Sequence, residues 1–509
     1  MYSKVNSMAI QGIEGIPVSI EVDISSGLPE FSLVGFLASE VKEAKERVRT
    51  SLRNSGYSLP ARRITVNLAP ADLRKEGTGF DLGIAVGILV SYSLIPVRAL
   101  EGCVFLGELG LDGKICSVPG VLSAVLSAKE HGFHTCFVPE ANSSEGAVVK
   151  GIRVLGVTTL EETAELLQNP ATQQPKETIE YSDLNGAFEY SVDFSEVNGQ
   201  QAMRRAAEVA AAGMHNLLFV GSPGSGKTMV ARRIPTILPK LSLEESLEVT
   251  RIYSVCGMLP ADTPIIRERP FRAPHHTISH QALVGGGRIP RPGEVSLANR
   301  GVLFLDELPE FQKNALEALR QPLEDRQVTI SRVHGNCRFP ADMMLCAAMN
   351  PCRCGYYPDR SRCQCGDNEV RRYLQRISRP LLDRMDICVE APPVGYEEIG
   401  GVWENESSAV IRGRVAAAWD IQKERFRGKD IYFNSQIKGK DVKKWCSLSR
   451  GEEQLMEQVF RQMELSARAY HRVLKVSRTI ADLAGSESIR EEHLTEALGY
   501  RGLDQKFWG

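Results

Sequence analysis

The run Gly221, Ser222, Pro223, Gly224, Ser225, Gly226, Lys227 and Thr228 has the residue types and spacing of a loop that wraps phosphate. Its glycines let backbone N–H groups turn inward around phosphate oxygens, and a helix starting at its end adds a positive dipole terminus. Lys227 is placed to reach the β- and γ-phosphates of ATP, and Thr228 to bind Mg²⁺. Asp306 and Glu307 close the apolar run Val302, Leu303, Phe304 and Leu305. A carboxylate at such a strand tip holds Mg²⁺ through water, the role assigned to Asp306. The next carboxylate orients and deprotonates the attacking water, so Glu307 is the candidate general base. Asn350 ends another apolar run, 343–349, where its amide can hydrogen-bond the γ-phosphate or the water.

Cys352 and Cys354, then Cys363 and Cys365, form C-x-C pairs around residues 355–362. Thiolates so grouped suit a tetrahedral Zn²⁺, although the commoner zinc knuckle spaces its pair by two residues. The alternative is a loop of unliganded thiols. Because the cluster follows Asn350 directly, the expectation is a rigid knob beside the ATP site. The chain has 12 cysteines in 509 residues, too few for a disulfide scaffold. Those outside the cluster mostly sit in apolar runs and read as buried small side chains.

Such a site needs a strand before the loop and a helix after it. Residues 195–393 supply both, alternating apolar runs with helical ones, which predicts a parallel sheet with crossover helices. Residues 1–168 read as a separate α/β domain, with strands at 18–22, 64–68 and 104–106. Its helix over 39–55 carries Val41, Ala44, Val48 and Leu52 on one face and stops at Gly56. The apolar stretch 82–97 is too short for a membrane span and reads as a buried helix. Residues 169–194 form an acidic, proline- and glutamine-bearing linker. Residues 394–509 are helical, a lid. A length of 509 residues accommodates about three such domains. Net charge of −2, from 61 basic and 63 acidic residues, excludes a general basic coat but not a local basic channel. With no export or membrane signal recognised, the expected location is the cytoplasm.

The phosphate loop, Asp306, Glu307 and Asn350 at this spacing resemble an AAA+ ATPase. The stretch Phe271, Arg272, Ala273, Pro274, His275, His276, Thr277, Ile278, Ser279 is narrower in its likeness. With Gly285, Gly286, Gly287 and the later Pro292, Gly293, Glu294, it resembles the bacterial magnesium-chelatase-like group of ComM/YifB type. That resemblance implies a homo-oligomeric, hexameric ring with ATP at subunit interfaces, and an association with DNA branch migration during natural transformation. It also assigns roles. Asn350 matches sensor 1. The segment Pro380 to Asp386 holds the arginine finger, so Arg384 is expected at the neighbour's γ-phosphate, with Arg379 competing. Ser466, Ala467 and Arg468 begin a helix like sensor 2, which makes Arg468 the expected reporter of nucleotide state, with Arg472 and Arg478 nearby.

The first domain resembles the Lon protease type through residues 107–115. The expected nucleophilic Ser is replaced by Asp81, Leu82 and Gly83, and the expected Lys by Val121, Leu122 and Ser123. A protease-like fold without peptidase activity follows from that resemblance.

In related AAA+ motors the insertion corresponding to 271–300 lines the pore, which makes Arg272 and Arg288 candidate DNA contacts, beside Arg291, Arg300, His275, His276 and His280. Residues 328–335 alternate and turn at Gly335 and Asn336 like a hairpin, so Arg332 and Arg338 could track phosphates without reading sequence. The leading reading is a ring translocase acting on DNA junctions or recombination intermediates, alongside recombination proteins and no membrane. The alternative is a chelatase-like ATPase that remodels a partner protein, although the chain has no D-x-S-x-S metal motif. An ATP-dependent protease is disfavoured by the missing Ser–Lys pair.

Overall fold

The computed structural model describes residues 1–181, 190–260, 263–332, 335–393, 395 and 404–508. The chain condenses into two compact units. The first comprises Met1–Phe188, Ser242–Ile266 and Thr329–Phe339; the second comprises Glu189–Leu241, Arg267–Val328 and Pro340–Gly509. Two segments lying within 195–393 therefore belong to the first unit.

The first unit is built on a seven-stranded mixed sheet. Its order is Glu30–Val34, Arg63–Ala69, Glu14–Ser25, Tyr2–Gln11, Cys103–Phe105, Thr135–Pro139 and Arg153–Val157. Tyr2–Gln11 and Glu14–Ser25 pair antiparallel, and alternate side chains Val18, Ile20, Val22 and Ile24 are buried, as period-two patterning requires. The apolar stretch forms the helix Asp81–Ser91, buried along its whole length. The predicted helix over 39–55 is two pieces, Ser39–Lys42 and Ala44–Asn54. Its four apolar positions Val41, Ala44, Val48 and Leu52 are all buried. The helix Leu243–Val255, opened by a capping box at Ser242 and Glu245, packs on the helix Val121–Glu130. Gln327–Arg332 and Gly335–Pro340 form a two-stranded sheet, and Gly335 and Asn336, expected at its turn, instead open the second strand. Of the acidic segment, Lys176 pairs with Glu140 and Lys150 with Glu180, so that part lies along the first unit.

The second unit holds a five-stranded parallel sheet in the order Phe271–Arg272, Val302–Leu305, Met344–Met349, Leu217–Gly221, Ile387–Ala391. In chain order this is 2-3-4-1-5. The first strand therefore lies between the fourth and the fifth, where the topology switches direction. Clefts for ligands open at the carboxyl ends of strands at such a switch. Strands buried on both faces read as continuous apolar runs, which is why Leu217 to Val220 and Met344 to Met349 stand out in the sequence.

The carboxyl-terminal helices share this unit's core. Val415 and Ala418 of Ser408–Arg425, Val473 and Ile480 of Ala467–Leu483, and Leu494 of Glu491–Gly499 join one cluster with Val209, Phe219 and Phe304. Phe194 is fully buried there, and its N–H donates to Ser408 Oγ at 2.8 Å. Burying one such ring contributes about 1.5–3 kcal/mol. Polar ties add direction. Arg205 pairs with Glu496 at 2.8 Å, and Trp419 Nε1 donates to Ala211 O at 3.0 Å.

Candidate functional site

The strand Leu217–Gly221 runs straight into the phosphate loop, and the helix Lys227–Ile237 leaves it. Gly224 and Gly226 hold φ of +76° and +82°, left-handed values that a Cβ would disfavour. Lys227 is 7% exposed. Its Nζ donates to Gly221 O at 2.8 Å and Ser222 O at 2.7 Å, and meets Ser225 Oγ and Asn350 Oδ1 at 3.3 Å each. Burial pulls this ammonium down to about 8, with Asp306 opposing the shift. Asn350 thus reaches the phosphate loop from the tip of the neighbouring strand.

Thr228 Oγ1 donates to Asp306 Oδ2 at 2.7 Å. A hydroxyl and a carboxylate meeting this way are the hard-oxygen donors that Mg²⁺ prefers, so these residues fit the ion. Asp306 Oδ1 accepts the Glu307 N–H at 2.9 Å. Glu307 itself adopts φ +51°, a left-handed conformation costing about 1–2 kcal/mol for a residue with a Cβ. Strain of this kind collects at functional positions. Its carboxylate is 58% exposed and stands 3.3 Å from His276 Nδ1. A cavity of about 280 Å³ is lined by Thr228, Arg232, His275, His276, Asp306 and Glu307, among others.

In the sequence the two histidines read as part of a pore insertion. The structure instead sets them in this cavity. The strand Phe271–Arg272 runs parallel to Val302–Leu305, with Phe271 opposite Val302. Both chains therefore leave the sheet at the same edge, and His276 arrives beside Glu307. It also packs against His275, ring centroids 4.1 Å apart and tilted by 34°, and meets the Phe311 ring edge-on at 6.4 Å. Histidines just past a β-strand, three places along the sheet from the strand of the phosphate loop, were the available signal.

The arginines expected to act across subunits lie elsewhere. Asn216, immediately before Leu217–Gly221, donates from Nδ2 to Arg384 O at 2.8 Å. Arg384 thus sits at the amino end of the sheet, while the phosphate loop sits at its carboxyl end. A second cleft of about 340 Å³ is lined there by Arg326, Arg384, Arg468, Arg472 and Lys475, and by none of the phosphate-loop residues. Arg384 is held by Glu324 at 2.6 Å, Pro380 O at 2.7 Å and Arg320 O at 3.2 Å. Arg468 is exposed, the second residue of a helix capped by Ser466.

The competing arginines separate by burial. Arg472 donates to Met385 O at 2.8 Å and Asp383 Oδ1 at 3.2 Å, tying the helix Ala467–Leu483 to the segment that carries Arg384. Arg478 is spent on Asp482 and on the Ser486 and Glu487 carbonyls. Arg379 is exposed and donates to Trp508 O at 3.4 Å.

The candidate DNA arginines do not form one group. Arg272 makes a bidentate pair with Glu294, at 2.5 and 2.8 Å, so its guanidinium is committed within the second unit. Arg288 is exposed between the short strands Gly285–Gly286 and Arg291–Pro292. Arg338 is exposed on Gly335–Pro340, in the first unit. The Arg332 side chain lies outside the described residues.

In the first unit, Asp81 is the residue that the resemblance to the Lon type set at the nucleophile position. It is 1% exposed and bonded by Arg47 Nε at 2.6 Å and Nη2 at 3.0 Å, and by the Leu109 N–H at 3.3 Å. Burial raises its carboxyl to about 6, against the pull of Arg47. At the other position Val121, Leu122 and Ser123 are buried, and no amine stands among them.

Cys352, Cys354, Cys363 and Cys365 place their sulfurs within 4.8 Å of one another. Separations of 3.3, 3.5 and 3.7 Å among the first three exclude disulfides and approach the ~3.8 Å edge of a tetrahedral zinc–thiolate site. The donor set fits Zn²⁺. No helix among the described residues is long and apolar enough to cross a membrane.

A parallel sheet with a phosphate loop at its switch-point strand, carboxylates and an amide on the neighbouring tips, and helices sharing its core is the architecture of an AAA+ P-loop ATPase. The description "Magnesium chelatase, subunit ChlI" matches residues 193–399, "Subunit ChlI of Mg-chelatase" matches 20–142, and the subunit's C-terminal description matches 405–501. Competence protein ComM of Haemophilus influenzae is 42% identical over 98% of this chain and 97% of its own length. YifB of Escherichia coli is 41% identical over 99% and 97% respectively. DNA repair protein RadA of Listeria monocytogenes is 34% identical over 94 residues, 18% of this chain and 20% of its own. The chain belongs to the magnesium chelatase ChlI family of AAA+ proteins, as a member of the ComM/YifB type.

Proposed function

We propose that this protein is a ring-forming ATPase that couples ATP hydrolysis to movement on DNA, driving branch migration of recombination intermediates, as in natural transformation. In this reading Lys227 and the loop N–H groups hold the phosphates, with Thr228 and Asp306 as the Mg²⁺ ligands. Bound Mg²⁺ would neutralise charge on the β- and γ-oxygens. Glu307 takes a proton from the attacking water, Asn350 orients that water, and the bond from the γ-phosphorus to the ADP oxygen breaks. A structural Zn²⁺ occupies the four cysteines. The carboxyl-terminal residues 394–509 act as the lid, and residues 1–168 as a protease-like module without peptidase activity.

The observation that carries assembly is the position of Arg384. The strand Leu217–Gly221 has 5 residues, which at about 3.3 Å each separates the two edges of the sheet by about 13 Å. In this reading Arg384 serves a neighbour's phosphate; Arg468 lines the same cleft. The DNA substrate rests on near full-length identity to a competence protein and on the shorter match to a DNA repair protein. The family's chelatase title supports the second reading, remodelling of a partner protein.

The deciding measurement is ATP turnover with a four-way junction, a forked duplex or no DNA, together with strand exchange of a labelled junction. Stimulation by the junction and ATP-dependent exchange are expected. Turnover indifferent to DNA, with immobile junctions, would remove the DNA reading and favour a protein partner.

A further inference from the structure

We propose that the zinc-held cysteine loop is a buttress for the phosphate loop, so that metal occupancy at Cys352, Cys354, Cys363 and Cys365 sets nucleotide affinity. The inference rests on the zinc reading above and extends it to the neighbouring site.

Residues 352–365 form no helix or strand. Within this stretch only Cys352, Gly355 and Cys363 are buried. A loop of this length without regular structure has little apolar surface to fix it. The thiols converge at its base, and the Tyr357 N–H donates to Cys352 Sγ at 3.4 Å. One ion bound there would tie both ends of the loop together, as structural zinc does in small metal-folded modules. On the loop's outer side, the Arg362 guanidinium lies 4.2 Å from the Tyr356 ring centroid.

Two links run from this loop to the nucleotide. Gly355 has φ +84° and lies directly on Pro223 of the phosphate loop. A Cβ at Gly355 would overlap Pro223 Cδ and stand 2.9 Å from its Cγ. The second link is covalent: Asn350, two residues before Cys352, meets Lys227 Nζ at 3.3 Å. Thus the ring of Pro223 has the cysteine loop as its floor, and the amide that touches Lys227 is tethered to the first zinc ligand. Loosening the loop releases both at once.

The test uses the full chain. Zinc per chain is measured by colorimetric release, and ADP–Mg²⁺ affinity by calorimetry, so that turnover does not enter. Zinc-loaded wild type is compared with protein stripped by a chelator and then reloaded, with Cys363→Ser, and with Gly355→Ala. The expected results are one zinc per chain in wild type and in Gly355→Ala, and none in Cys363→Ser. ADP–Mg²⁺ Kd should rise at least tenfold in the stripped protein, in Cys363→Ser and in Gly355→Ala, and return on reloading with zinc. Gly355→Ala keeps every thiol, so it reports the contact even where Cys363→Ser fails to fold. Wild type that takes up no zinc overturns the metal reading itself. Normal zinc uptake with an unchanged Kd in stripped protein and Gly355→Ala overturns the buttress alone.

Discussion

With Arg384 acting across the interface, as proposed, hydrolysis belongs to pairs of subunits, and pairs can be dissected by mixing. Glu307→Gln removes the base and keeps the arginine; Arg384→Ala does the reverse. Alone, the first should lower kcat by about 10²–10⁴ and the second by about 10³–10⁵. Neither should abolish nucleotide binding, because Lys227 and its partners are untouched. In a ring loaded at random with equal amounts of both, about a quarter of the interfaces join an intact Glu307 to an intact Arg384. Each such interface is a wild-type site. Mixed rings, co-expressed with two affinity tags and purified through both, should therefore recover turnover orders of magnitude above either parent. Recovery no greater than the average of the parents would refute the reasoning, because a finger acting within its own subunit gives no composite site. The mixture also separates Arg384 from Arg379: Arg379→Ala should need no rescue.

His276 Nδ1 stands 3.3 Å from the candidate base, so His276→Ala should lower kcat by about tenfold through lost orientation while leaving ADP affinity within about twofold; an unchanged kcat would show the proximity to be incidental. Asp81, raised to about 6, binds its proton more tightly in the folded unit than in the unfolded chain. Its contribution is thus fully present below about pH 4 and is lost as pH rises through 6, a change of about 3 kcal/mol across that window. Asp81→Asn should match wild type near pH 4.5 and exceed it at pH 7.5 in hydrogen-exchange protection of the helix Asp81–Ser91, and parallel profiles for the two proteins would contradict the assignment.

What could be read from the sequence was whatever a local pattern and a strand tip determine together. The phosphate loop, Asp306, Glu307 and Asn350 each end an apolar run, and parallel pairing then carries the tips to one edge. The cysteines were equally legible because their spacing is short. Burial was not legible. Arg468, Arg472 and Arg478 look alike along the helix, yet only Arg468 is exposed; the other two are spent on carbonyls and carboxylates. His276 looks like one more residue of a basic stretch, because its neighbour Glu307 is set by strand pairing across some thirty positions. The surface that the helix Leu243–Val255 covers was equally illegible, because it is made of residues more than a hundred positions away.

The helix Leu243–Val255 also bears on how the protein is made. The buried Glu145 carboxylate accepts the Leu122 N–H at 2.8 Å and also the Ser254 hydroxyl. Gly120 N donates to Ser254 O at 3.1 Å, and Leu243 and Leu247 pack on the adjoining core. The first unit's cover is therefore encoded after the phosphate loop, and its hairpin segment, Thr329–Phe339, later still. During synthesis the opening sheet emerges from the ribosome before these pieces and must wait until the opening part of the second unit has been translated. A gene cut after residue 188 would leave the first unit without both of these pieces, so the two units share one reading frame.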